Sequence, residues 1–84
     1  MTYRVEILPS ARRQIKKLPS DVQIKVRQAI VELTSEPRPI SALKLTGRNA
    51  YRIRLGNYRV IYEIYDEVLI VTVVAVGHRR DVYR

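Results

Sequence analysis

One dipeptide constrains this chain more than any other feature. Gly56-Asn57 lies between two segments whose apolar residues recur every second position. Before it, Tyr51, Ile53 and Leu55 alternate with Arg52 and Arg54; after it comes Tyr58 to Tyr65. A two-residue loop with Gly at its first position is a β-hairpin signal, because Gly supplies the positive φ that such turns need. The loop length also sets the register: Leu55 pairs with Tyr58 and Arg54 with Arg59. Arg52 and Arg54, two apart on one strand, leave the same face of the sheet. Like charges directly opposite each other in a ladder are destabilising. Two arginines held in that relation therefore imply an anion lying over them. The plainer alternative is a solvated face, since edge strands often use charge against aggregation.

The rest of the chain supplies elements to cover the other face. Tyr3 to Leu8 reads as a short strand with Val5 and Ile7 on one side, ended by Pro9. Ser10 can cap a helix running to about Leu18, with Ala11, Ile15 and Leu18 as its buried stripe. Pro19 breaks it. Ser20 can cap a second helix, with Gln23 at the capping-box position and Val22, Val26, Ala29, Ile30 and Leu33 on one face. Pro37 and Pro39 stop that helix. After the hairpin, Asp66-Glu67 is a second tight turn, Val68 to Val76 returns as a strand buried on both faces, and Gly77 ends it. The resulting order is β-α-α-β-β-β, an α+β domain with a helical hairpin laid on a small antiparallel sheet. The last three strands form a meander, and the partner of the first strand stays open. Tyr51, Tyr58 and Tyr62 fall on the core side as packing residues.

Length and charge narrow the function. Eighty-four residues make one domain, 1–84, and a chain of this size buries only about 60% of its unfolded surface. Sixteen basic residues, twelve of them Arg, face eight acidic ones, for a net charge of +8. Arg is favoured where forked donors must grip phosphate or carboxylate, so a polyanion, most simply nucleic acid, is the expected partner. Between Glu36 and Glu63 there is no acidic residue, while the stretch carries Arg38, Lys44, Arg48, Arg52, Arg54 and Arg59. There is no cysteine and one histidine, so disulfides and thiolate or multi-histidine metal sites are excluded and an intracellular, cytoplasmic home is expected. No cofactor is implied. The N-terminus has no apolar signal core, and the nine-residue run Val68 to Val76 is too short to span a bilayer as a helix, which needs about 20. His78, beside a cationic cluster, has its neutral form favoured by like charge and could accept a proton near neutral pH. Asp81 reads as a salt-bridge partner of Arg79 or Arg80.

Taken together, Lys44-Leu45-Thr46-Gly47, Tyr51-Arg52-Ile53-Arg54, Tyr58-Arg59-Val60-Ile61-Tyr62-Glu63-Ile64 and Val76-Gly77-His78-Arg79-Arg80-Asp81-Val82-Tyr83 resemble the RelE/ParE toxin superfamily of type II toxin–antitoxin systems, over essentially the whole chain. They look most like the RelE branch, whose members cut mRNA in the ribosomal A site. The resemblance implies a basic sheet face as the active surface, with Arg59 as the phosphate-gripping residue, Arg79 as a second catalytic arginine, Tyr83 as the catalytic tyrosine, and Lys44, Arg48, Arg52 and Arg54 as RNA contacts. It further implies metal-independent cleavage, a RelB-like acidic or amphipathic antitoxin as cognate partner, and the ribosome with its mRNA as target. The best-known RelE pattern has Lys at both strand positions, one of them thought to be the base. Arg cannot be deprotonated at accessible pH, so His78 becomes the candidate base here. The alternatives are a ParE-like inhibitor of DNA gyrase and a basic RNA- or ribosome-binding module without chemistry.

Overall fold

The computed structural model describes residues 2–46 and 49–78. Two helices cover one face of a five-stranded sheet of order β1-β5-β4-β3-β2. The elements are β1 (Arg4–Ile7), α1 (Pro9–Lys16), α2 (Ser20–Leu33), β2 (Leu43–Lys44), β3 (Ala50–Leu55), β4 (Tyr58–Tyr65) and β5 (Ile70–His78). The first strand, whose partner the sequence leaves open, pairs parallel with β5, Val5 facing Val71. The last three strands form the expected antiparallel meander. β2 is an addition: two residues pair Leu43 with Arg52 and Lys44 with Tyr51. Both edges are thus short, which limits edge-to-edge aggregation.

The helix boundaries differ from the expected ones for a physical reason. Pro9 does not merely end β1 but opens α1, where its missing N–H costs nothing and its fixed φ suits the helix. α2 begins at Ser20 with no side-chain cap bond. Gln23, expected in a capping box, instead reaches back and donates to the carbonyls of Leu18 (2.9 Å) and Lys16 (3.3 Å). Those carbonyls lie at the C-terminal end of α1, where orphan acceptors need partners. Gln23 therefore ties the two helices together across Pro19.

The core lies between the hairpin of helices and the sheet. Ala11, Ile15, Val26, Ile30 and Leu33 meet Ile53, Val60, Tyr62, Ile64, Val71, Val73 and Val76. Tyr62 is completely buried. Its hydroxyl donates to the Pro37 carbonyl at 2.7 Å, and its ring stacks on Tyr51 at 5.9 Å. Burial, first of all, pushes its hydroxyl up to about 12. Beside it Arg38 lies over the Tyr51 ring, donates to the Tyr51 hydroxyl and grips Asp66 through two bonds of 3.1 and 2.8 Å. Tyr3 donates to the same carboxylate at 2.6 Å. These donors, Arg38 foremost, hold Asp66 down at about 2.

Two turns repay attention. Gly56 has φ +63° while Asn57 is not among the residues of positive φ, the pattern of a type II′ hairpin turn. The second turn is longer than the expected Asp66-Glu67: it spans residues 66–69, with Leu69 at φ 55° and β5 starting at Ile70.

Two outcomes follow for Tyr62. Replacing Tyr62 with Phe leaves the buried Pro37 carbonyl without its donor and should cost about 1–3 kcal/mol, read by urea unfolding. The Tyr62 hydroxyl ionises near pH 10 when unfolded and near 12 when folded. The unfolded state therefore loses its proton first. Stability should fall as pH rises from about 10 to about 12, and Tyr62→Phe should flatten that fall.

Candidate nucleic-acid interface

The face of the sheet turned away from the helices carries the candidate site. Cross-strand partners share a face, so the registers lay this face out in rows. The first row is Gly77, Arg59 and Arg54; the second is Ala75, Ile61, Arg52 and Leu43; the third is Glu6, Thr72, Glu63 and Ala50. Leu55 pairs with Tyr58 and Arg54 with Arg59, as the hairpin loop requires. The three arginines Arg52, Arg54 and Arg59 thus leave one face at one end.

Arg59 sits on β4, in the middle of the sheet, and is 7% exposed, the one charged side chain in the interior among the described residues. An anion meeting a guanidinium this far from bulk water is attracted with little screening. Arg54 is exposed and Arg52 half-buried. Neither forms an ion pair among the described residues, where the pairs are Arg4–Glu6 and Arg38–Asp66. The Arg52 Nε is buried and makes no hydrogen bond with a described residue. The described carboxylates of this face, Glu63 and Glu6, have partners of their own. Tyr65 donates to Glu63 at 2.6 Å, and Arg4 holds Glu6 at 3.3 Å. Glu63 is four residues along β4 from Arg59, roughly 13 Å at the strand rise of about 3.3 Å per residue. That exceeds the screening length of about 8 Å in physiological salt. Glu63 and Glu6 lie toward the other end of this face, with Arg4 beside Glu6, away from the Arg54–Arg59 row.

A β-bulge decides what flanks Arg59. Ile61 pairs with Ala75 and Tyr62 with Val73, leaving Val74 as the extra residue. The insertion reverses the alternation of β5: Val71, Val73 and Val76 face the core, and Ala75 and Gly77 share the face of Arg59. Gly77 does not end the strand but lies within it, and brings no side chain against its partner Arg59.

The same reversal corrects the role expected of His78. His78 pairs with Tyr58 on the helix-bearing face, its ring edge-on to that of Tyr58 at 5.5 Å. It lines a cavity of about 400 Å³ with Gln14, Lys17, Leu18 and Pro19. The sheet stands between it and the face of Arg59, so it is not placed to take a proton from a group held there. Lys44 is exposed on β2 and pairs with Tyr51, one position along β3 from Arg52 and on the other face. Arg38, part of the basic run, is committed to Asp66. Arg48, Arg79 and Tyr83 lie outside the described residues. The sequence gives no sign of Leu43, which is exposed in the row that holds Arg52 and the buried Ile61.

The opposed pair Arg54–Arg59 carries a measurable cost. Arg54→Thr should raise stability by about 0.2–1 kcal/mol by removing the repulsion, while weakening binding of a short RNA oligonucleotide and lowering the salt dependence of that binding. Thermal unfolding and fluorescence anisotropy read the two effects in one variant.

Comparison with known proteins identifies the family. Residues 5–83 match the family model described as the ParE toxin of the type II toxin–antitoxin system parDE. The chain is 35% identical over 86 residues to toxin RelG of Mycobacterium tuberculosis, covering all of this chain and 99% of that one. It is also 35% identical over 82 residues to the mRNA interferase toxin RelE of Escherichia coli, covering 94% and 85%. Among solved structures, the M. tuberculosis RelBE2 toxin–antitoxin complex superposes with a TM-score of 0.81 at 30% identity, over 94% of this chain and all of that one. The intact E. coli RelBE complex does so at 0.80 and 32%, over 90% and 95%. The helical hairpin on a five-stranded sheet is thus a shared fold, and the chain belongs to the RelE/ParE superfamily of type II toxin–antitoxin toxins.

Proposed function

We propose that this protein is a ribosome-dependent mRNA endonuclease held in check by a RelB-like antitoxin. The observation that carries the reading is the buried Arg59 with Arg54 opposite and Arg52 one row behind on one face of the sheet. The relatives named mRNA interferase support it, as do the solved complexes of RelE with RelB.

In the proposed reaction the 2′-oxygen of a ribose attacks the adjacent phosphorus. The bond from phosphorus to the 5′-oxygen breaks, and the products are a 2′,3′-cyclic phosphate and a 5′-hydroxyl. One proton leaves the 2′-hydroxyl and one reaches the departing 5′-oxygen. Arg59 neutralises the charge that grows on the phosphorane, the task for which preorganised donors in a water-poor site are strongest. Arg52 and Arg54 hold the backbone on either side. By the resemblance of the C-terminal motif, Arg79 assists Arg59, and Tyr83 supplies the leaving-group proton. Neither of these two assignments draws on the described geometry. With His78 on the opposite face and arginine unable to give up a proton, the described residues offer no strong base, and the 2′-proton passes to solvent. Holding the 2′-oxygen in line with the leaving oxygen can supply up to about 7–11 kcal/mol. A chain without a base depends on its target for that alignment, and the ribosome would provide it.

The tests separate these roles. Arg59→Ala should lower cleavage of mRNA in a translating extract by about 10²–10³-fold, read by primer extension, while ribosome co-sedimentation changes little. Arg59→Lys keeps the charge without the fork and should also fall. His78→Ala should stay within a few-fold of the parent. An Arg59→Ala protein that cuts at full rate would overturn the assignment. The gyrase alternative predicts DNA-damage signalling on expression without mRNA cuts; a binding module predicts neither.

A further inference from the structure

Alternation predicts packing for Tyr51, Tyr58 and Tyr62 alike, yet one of the three stands apart. Tyr62 lies inside the core and Tyr51 packs against it, whereas Tyr58 lines the cavity of about 400 Å³ at the hairpin end, with Gln14, Lys17 and Leu18. Tyr58 is half-buried. His78 meets its ring edge-on, which leaves at least one face of the tyrosine uncovered by the histidine. The polar groups of the cavity are chiefly donors. Gln14 accepts the Val76 N–H through its Oε1 at 2.8 Å, so its Nε2 keeps two N–H groups to donate. Lys17 is exposed and adds an ammonium. No described carboxylate lines the cavity.

The cavity also lies at an edge of the sheet. β1 pairs with β5 only as far as Val73, so among the described residues no strand flanks Val74 to His78 on that side. Gly77 belongs both to the cavity wall and to the row of Arg59 and Arg54, and brings no side chain of its own between them. One layer of backbone separates the arginine row from the aromatic cavity.

A ligand that uses both sides carries a negative charge at one end and a flat ring with acceptor atoms at the other. A second copy of the chain, of net charge +8, would bring like charge to Lys17. An apolar segment would leave the donors of Gln14 and Lys17 without acceptors. A nucleotide meets both demands: its phosphate suits the arginines, and its base has a π-face for Tyr58 and acceptors for Gln14 and Lys17. We infer that the cavity of Tyr58, Gln14, Lys17 and Leu18 receives a base of the RNA strand whose phosphate lies on Arg59, the strand passing the sheet edge at Gly77. His78 is a positioning residue that sets the Tyr58 ring. The inference rests on the endonuclease reading and extends it: binding depends on a base beside the bound phosphate as well as on the backbone.

The probe is a set of labelled 2′-O-methyl RNA trinucleotides, one complete and the others each lacking one base, read by fluorescence anisotropy with the full chain. Loss of one particular base should weaken binding to the parent protein by about tenfold, the usual worth of one stacked base. Tyr58→Leu should weaken the complete trinucleotide by a similar factor and no longer distinguish it from the one lacking that base. Tyr58→Phe keeps the ring and should bind as the parent does. Arg54→Thr should weaken every member of the set alike. Circular dichroism checks the fold of each variant, and Lys17→Glu, at an exposed position, should narrow the same difference without touching the sheet. Equal binding of the whole set by the parent, a base dependence that survives in both Tyr58→Leu and Lys17→Glu, or no binding of the complete trinucleotide would overturn the inference. Cutting of mRNA by the parent in a translating extract reads the endonuclease assignment by itself. A parent that cuts but shows no base dependence therefore sinks the cavity assignment alone.

Discussion

Placing Arg54 directly across from Arg59 sets two guanidinium groups against each other in a ladder that would otherwise be a stable hairpin. The sheet tolerates this because everything around the pair is arranged to hold it. Gly56 turns the chain with a positive φ that fixes the register. β5 pairs Arg59 on its other side with Gly77, which has no side chain of its own. The apolar face beneath, centred on Val60 and Tyr62, anchors β4 to the helices. Fold stability comes from one side of the sheet and is spent in part on the other.

Division of the sheet into two faces organises the rest of the molecule. One face is dry, and two helices cover it. On the other face, Arg52, Arg54 and Arg59 gather at the hairpin end while Glu63 and Glu6 are held by Tyr65 and Arg4 toward the other end. Arg38, by contrast, is drawn into a cluster with Asp66, Tyr3 and Tyr51 that closes the far end of the domain. A strongly basic composition therefore divides between arginines bound into the far end of the fold and arginines gathered at the hairpin end of the sheet.

Much of this was legible in the residues. The alternation around Gly56-Asn57 specified the hairpin, its register and the face of Arg52, Arg54 and Arg59; the 3.6-residue stripes specified both helices and the side they bury. Other features were not legible. The segment from Ile70 to Val76 is apolar on both faces except for Thr72, so no change of pattern marks the bulge at Val74, and the side of His78 is reversed in consequence. β2 is two residues long and leaves no periodicity. The backward reach of Gln23 competes with a capping-box motif of the same spacing, and only the nearby end of α1 decides between them. Arg48, Arg79 and Tyr83 lie outside the described residues, and their roles rest on the resemblance.

The central claim is that a phosphodiester docks against Arg59 on the face of the sheet turned away from the helices. NMR titration of the unaltered protein with a short 2′-O-methyl RNA, which cannot be cut because its 2′-oxygen carries no proton to lose, tests it most directly. The account predicts that the side-chain Nε–H signals of Arg52, Arg54 and Arg59 and the amides of Ala75 and Gly77 shift together, while those of Ile24 and Val31 on α2 stay in place. Shifts confined to the helical hairpin, with the arginine signals unmoved, would contradict it.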